Sequence, residues 1–234
     1  MKLPLCLATL AVLAATTPAF ADPPAARWDI ETGMVWNPRN VVRSPGNTGT
    51  RFELNRLTGQ GPFNHLRLQY IQPVGDDKEA RVLIAPLSFG GNATLQNTVD
   101  FAGKTFAAGT NVDAKYAFHS YRFSMRRRVL TTEATTAWAG WTVKVRDAGI
   151  HLRSANQMAD DTNIGLVPLL HGAVTHNIGR RWSIDVDIDA LGAPMGRAID
   201  AGLRTQYRFP DGTKLGVGLR TLEGGADNDR VFTF

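Results

Sequence analysis

The chain has 234 residues, 26 Lys and Arg against 21 Asp and Glu, a net charge of +5 and a single cysteine. One cysteine excludes a disulfide framework and any multi-cysteine metal site, and basic residues scattered singly exclude a nucleic-acid patch, which needs them gathered on one face. Beyond the first residues no stretch approaches the ~18 consecutive apolar residues of a spanning helix, so any membrane crossing must be made by strands closed into a barrel.

The N-terminus reads as an export signal. Lys2 supplies a positive start, residues 5–15 (LCLATLAVLAA) form an apolar run, and Ala19-Phe20-Ala21 places small residues where a signal peptidase cuts, between Ala21 and Asp22. The run is too short to cross a bilayer and leads directly into Pro23-Pro24. Cys6 lies at the start of the apolar run and not after it, inside the segment that would be removed, so the mature chain has no thiolate nucleophile. The chain thus divides into a leader, residues 1–21, and one domain, residues 22–234. An exported chain without disulfides must draw its stability from its core or from lipid.

From there on, alternation with period two is the dominant pattern. It predicts nine strands, at 27–36, 65–73, 79–87, 115–129, 137–148, 163–177, 181–190, 198–209 and 213–222. In the fourth, Tyr121, Phe123 and Met125 oppose Ser120, Arg122, Ser124, Arg126 and Arg128. In the fifth, Trp141, Val143 and Val145 oppose Thr142, Lys144 and Arg146. The seventh is the cleanest, with Trp182, Ile184, Val186 and Ile188 opposing Ser183, Asp185, Asp187 and Asp189. In the eighth, Ile199, Ala201 and Leu203 oppose Asp200 and Arg204. No helical period intervenes. Pro168 inside the sixth strand predicts a bulge or a break in pairing, because Pro cannot donate to a ladder.

A half-buried soluble strand would alternate in the same way, so the connections must discriminate. The expected connections alternate long (37–64, 88–114, 147–162, and the shorter 192–197) with short (74–78, 130–136, 178–180, 210–212). Membrane barrels sort their loops like this, with tight periplasmic turns and longer outer loops. Trp28, Trp36, Trp182, Tyr207 and Phe209 sit near strand ends, where interfacial girdles place aromatic rings. The predicted fold is therefore all-β: an antiparallel up-and-down transmembrane β-barrel of 8–10 strands in an outer membrane. Nine crossings leave the last strand ending outside, and bacterial barrels use even numbers. Residues 231–234 (Val-Phe-Thr-Phe) are less than half a strand, so the closing C-terminal strand is expected to be missing or shortened.

Several segments resemble a family of proteobacterial outer-membrane β-barrel proteins that has no assigned reaction. They are residues 101–109, the run Tyr116-Ala-Phe-His-Ser-Tyr-Arg122, residues 162–171 (TNIGLVPLLH) and residues 220–229 (RTLEGGADND). The resemblance runs from about Trp28 to the end. It implies the same barrel, with one further aromatic-ended strand after the Gly-Gly-Ala-Asp-Asn-Asp loop. The family has Asn where His119 stands, which weakens a catalytic role for that histidine.

Candidate chemistry is sparse. The polar faces offer Arg122, Arg126, Arg128, Lys144, Arg146, Asp185, Asp187 and Asp189, which inside a narrow barrel would pair across the lumen as a polar plug. Such a plug suits an envelope scaffold or a narrow solute path. An acyl hydrolase or transferase acting on outer-membrane lipid is the rival from another class. It would need Ser, His and a carboxylate in reach, yet His119 and Ser120 face opposite sides of a strand and no His-x-Ser pair exists. Glu223, Asp227 and Asp229 in a Gly-rich outer loop form a candidate Ca²⁺ site, though without EF-hand spacing. Gly90-Gly91 and Gly224-Gly225 lack the Lys and helix of a phosphate loop. No cofactor is expected. The expected partners are outer-membrane lipid and lipopolysaccharide, with the barrel-assembly machinery during insertion, and the expected state is a monomer.

Overall fold

The computed structural model describes residues 12–14, 25–194, 196–229 and 232–233. The expected cleavage point, Ala21 and Asp22, and Cys6 lie outside the described residues. In chain order the elements begin with β1 (Val12–Ala14), β2 (Arg27–Val35), β3 (Val41–Arg43), β4 (Phe52–Glu53), α1 (Asn55–Thr58), β5 (Phe63–Pro73), β6 (Lys78–Ala85) and β7 (Ser88–Thr94). They continue with β8 (Val99–Phe101), β9 (Lys104–Phe106), β10 (Asn111–Thr131), β11 (Thr135–Arg153), β12 (Met158–Ile178), β13 (Trp182–Ala193), β14 (Gly196–Arg208), β15 (Lys214–Asp227) and β16 (Phe232–Thr233).

The fold is all-β and antiparallel. One sheet of 14 strands curls through 272°, and its wall is made by β2, β5, β6 with β7, β10, β11, β12, β13, β14 and β15. Each wall strand pairs with the next in chain order, an up-and-down arrangement. Eight antiparallel steps separate β2 from β15, so these two run the same way and cannot join as antiparallel neighbours. Between them, Val12 of β1 stands opposite both Gly216 and Glu31, and Thr233 of β16 stands opposite Ala226. β16 therefore occupies the place where a tenth, descending strand would begin.

In the lower wall the alternation faces apolar residues outward. Ile30, Leu68, Ile84, Tyr121, Val145 and Leu166 are successive cross-strand partners on the outer face. One residue over, Asp29, Gln69, Leu83, Arg122, Lys144 and Val167 are partners on the inner face. The outer row is conspicuously bare of cover, with Leu166 at 70% exposure. An apolar belt of this kind fits insertion into a bilayer. At its lower margin Trp28 packs on Tyr70 and Trp182 on Tyr207, both with ring centroids 5.1 Å apart, as interfacial rings do. Among the described residues no helix is long and apolar enough to cross a membrane.

Above the belt the polarity inverts. In the first turns of β10, Asn111, Asp113 and Lys115 face out while Val112, Ala114, Tyr116 and Phe118 face in. In the last part of β11, His151 and Arg153 face out while Ile150 and Leu152 face in. A ladder that extends beyond a hydrocarbon layer would sort its residues in this way, as a water-soluble sheet does. This inversion is why the expected outer connections are too long. Residues 88–94 are β7, which continues the ladder of β6 on β10, and the expected loop 147–162 is mostly strand, leaving residues 154–157 as the turn. Likewise β15 runs to Asp227 instead of ending at 222.

The remaining outer segments fold over this upper sheet. α1, β3, β4 and the β8–β9 hairpin bury Val42, Leu54, Leu57, Phe101 and Phe106 against Val112, Ile150 and Leu152. The hairpin turns on Ala102 (φ 47°) and Gly103 (φ 76°), two positive φ values that a two-residue type I′ turn requires. At the opposite rim the turns are short. In one, Arg127 Nε donates to Asp77 at 2.6 Å, and this bond holds the Asp77 carboxyl below the ordinary aspartate range. Pro168 coincides with a break in pairing, since the β12–β13 ladder ends at Leu170 opposite Ala190.

Leu203 lies mid-strand on the outer face between Val186 and Leu219. Leu203→Arg is expected to lower the urea stability of liposome-reconstituted protein by about 2–4 kcal/mol, the cost of a cation at a bilayer midplane. A water-facing sheet would change by less than about 0.5 kcal/mol.

Candidate functional site

The inward side chains of the lower wall form one connected set of ion pairs. Asp200 on β14 is at its centre, 2% exposed, and accepts from three guanidinium groups. Arg67 Nη1 lies 2.9 Å from Oδ2, Arg122 Nη2 2.5 Å from Oδ2, and Arg220 Nη1 2.6 Å from Oδ1. Arg122 also donates to Asp189 at 2.9 Å and to Ser120 at 3.0 Å. Arg220 reaches further, to Glu31 at 3.0 Å and Asp187 at 3.1 Å. Around this centre Arg126 and Arg27 hold Glu79, and Arg204 holds Asp29 at 2.8 Å.

Room for Arg220 comes from a glycine. A Cβ on Gly202 would stand 2.8 Å from an Arg220 terminal nitrogen and 3.0 Å from Asp187 Oδ1. The guanidinium is at the end of a long chain, but three carboxylates hold it, so it cannot give way cheaply. Beside the centre, Asp29, Arg67, Arg81, Asp187 and Arg220 line a void of about 20 Å³, enough for about one water. A narrow barrel fills its interior with side chains.

His171 joins this set through both ring nitrogens. Nδ1 lies 2.8 Å from Asp189 Oδ1 and Nε2 lies 2.8 Å from Arg81 Nη1. A guanidinium can only donate, so Nε2 accepts and the proton sits on Nδ1, directed at the carboxylate. This histidine is in the neutral tautomer, and its lone pair is occupied. It cannot also take a proton from a nucleophile, so the His–Asp contact is structural. Thr142 donates to the same Asp189 oxygen at 2.8 Å.

Of the eight residues singled out from the sequence, Arg122, Asp187 and Asp189 enter the centre. Arg126 meets Glu79 and lies over the Trp138 ring, 4.5 Å from its centroid. Asp185 accepts from the Thr175 and Ser183 hydroxyls. Arg128 instead donates to the Asp76 carbonyl in a rim turn, and Arg146 to the Asn163 side chain. Lys144 is 3% exposed and lies over the Phe118 ring, 4.6 Å from its centroid, pairing with no carboxylate among the described residues. Asp200 and Arg204 were visible on the polar face of their strand without an assigned role. Glu31, Arg67, Arg81, His171 and Arg220 were not anticipated. Arg220 shares its face with Gly216 and Gly218, which hides its polarity in the sequence.

The candidate Ca²⁺ site does not assemble. Glu223 lies on β15, not in a loop, and pairs with Arg197. Among the described residues no three acidic, His or Cys side chains are grouped so as to hold a metal ion.

Above the charged layer lies a cavity of about 500 Å³. One wall is a run of rings, Phe89 on Tyr116 at 5.3 Å and Tyr116 on Phe118 at 6.2 Å, with Phe63 stacked on Phe89 at 4.1 Å behind it. The opposite side is built by Val167, Leu191, Ala198 and Leu222, and the floor by Lys144, Arg67 and Arg220.

No family model and no curated protein matches the chain. Among solved structures, the attachment invasion locus protein Ail of Yersinia pestis superposes at 9% identity over 98% of this chain and 99% of that one, with a TM-score of 0.38. The same protein in complex with the heparin analogue sucrose octasulfate gives 10% identity and the same TM-score.

Removing the shared acceptor is expected to leave three guanidinium groups without it. Asp200→Ala should therefore cost about 3–5 kcal/mol in a urea titration. Gly202→Val should match Arg220→Ala, and the two together should cost no more than either alone, because both act on one guanidinium. Additive losses would show that Gly202 serves some other purpose.

Proposed function

We propose that this protein is a non-conducting outer-membrane barrel, an envelope scaffold whose lumen is held shut by its own charges. The reading rests above all on the packed centre, where Arg67, Arg122 and Arg220 converge on a buried Asp200. The outward apolar belt supports a membrane location, and a strand-built crossing with an export signal fits the outer membrane of an envelope. A narrow solute path is the less favoured version, since every ion-pair partner across the lumen would have to separate for a solute to pass. Lipid enzymology on the same barrel finds no support at His171, whose accepting nitrogen is taken by Arg81.

Fractionated cells should place the protein with outer membranes, and it should show heat-modifiable migration on gels. Planar-bilayer recordings of the purified protein should show no discrete conductance steps. Steps that persist in the wild-type protein at several salt concentrations would contradict a shut lumen.

A further inference from the structure

Among the described residues of the charged layer, Arg81 and Lys144 pair with no carboxylate; Arg81 is taken up by His171 and Gln69, while Lys144 has no such acceptor. Glu31, Asp187, Asp189 and Asp200 are each engaged by Arg67, Arg122, Arg220 or His171, and none is paired with Lys144. At 3% exposure the ammonium lies over the Phe118 ring with no carboxylate at ion-pair distance among the described residues; Asp200, which acts on it from further off, is already shared by three guanidinium groups. Its neighbour Arg146 adds positive charge on the same wall, and its Nε is also buried without a partner. Both residues line the floor of the cavity, whose walls are mainly apolar, with Arg39, His65, Arg197 and Glu223 also on the lining. The polarity inversion places them at the boundary between the apolar belt and the outer ladder, since Val145 between them still faces outward in the belt row.

The wall beside this cavity is open. β12 and β13 pair only up to Leu170 and Ala190, so among the described residues no strand is paired with the upper half of β12 on that side. Leu166, Val167 and Pro168 of that unpaired edge line the cavity together with Leu191 and Gly196 across the gap. Pro168 keeps the edge from being extended by a ladder, because it has no N–H to offer. Leu166 and Leu170 flank the opening on the outer face and are among the most exposed apolar side chains of the barrel.

We propose that this cavity binds a single-chain amphiphile with an anionic head, entering laterally from the outer leaflet between Pro168 and Leu191. The head is the counter-ion of Lys144, with Arg146 beside it, and the chain lies along Phe118, Tyr116 and Phe89. A volume of about 500 Å³ falls within the ~300–1,000 Å³ of small-molecule sites, which combine apolar walls with few placed polar groups. A free fatty acid and a lysophospholipid with a terminal phosphate share this chemistry.

Native mass spectrometry of the membrane-extracted protein in octyl glucoside, with added laurate, 1-lauroyl lysophosphatidate or dodecanol, tests it. One laurate or lysophosphatidate per chain is expected, with dodecanol at least tenfold weaker. The tighter of the two anions identifies the source. Lys144→Met keeps the apolar stem, so heat-modifiable migration should be retained while anion occupancy falls at least tenfold. Lys144→Arg should restore most of it. Leu191→Trp, which narrows the opening without touching the floor, should also reduce occupancy. Absence of a one-to-one adduct in the wild-type protein, or anion binding unchanged in folded Lys144→Met, overturns the proposal.

Discussion

The barrel depends on charge being matched inside a lumen packed with side chains. Asp200 takes three guanidinium groups, and each of those groups reaches across to a different strand: Arg67 from β5, Arg122 from β10, Arg220 from β15. Pairs of this kind add little net stability against an apolar interior of equal packing, because desolvation offsets most of the attraction. Their contribution is to specify which strands face each other. Every break leaves a charge alone in a dry lumen, so alternative registers are penalised heavily. Register is otherwise weakly held in a sheet, where a slip by one residue exchanges the two faces.

That constraint orders the molecule vertically. Where the outside is lipid, the charges must be inside, and Tyr121, Phe123 and Val145 face out. Where the outside is water, the rule reverses, and Val112, Ala114, Ile150 and Leu152 pack inward under the cap of α1, β3, β4, β8 and β9. The two regimes meet near Ser120 and Arg146, which are direct partners. The large cavity sits on that boundary, where an apolar interior rests on a cationic floor. Lys144 is left over there because the layer above it contributes rings and aliphatic side chains in place of carboxylates.

Much of the fold was legible in the alternation. The nine wall strands, their antiparallel order and the odd count all follow from it, as does the break in pairing at Pro168. The strand ends were not, and the cause is specific. Residues 111–118 alternate as clearly as 120–126, but with polar and apolar positions exchanged, so a search for one polarity stops at the boundary and reads the rest as loop. Residues 88–94 are obscured differently, by Gly90 and Gly91, which pack against backbone of neighbouring segments. For the site, strand parity identifies which charges face inward, among them Asp187, Asp189 and Arg122. It cannot say which of them meet across the lumen, because that depends on the shear between strands. Asp200 and Arg220 became central only once β14 and β15 were set beside β2.

The most direct test of a charge-locked lumen is the motion of the arginine side chains themselves. In a ¹⁵N-arginine NMR spectrum of the protein in micelles, the guanidinium protons of Arg122 and Arg220 should be resolved, slow to exchange with solvent and restricted in rotation, while exposed Arg153 behaves like free arginine. Rapid exchange and free rotation at Arg122 and Arg220 would mean that the lumen is wet and the lock does not exist.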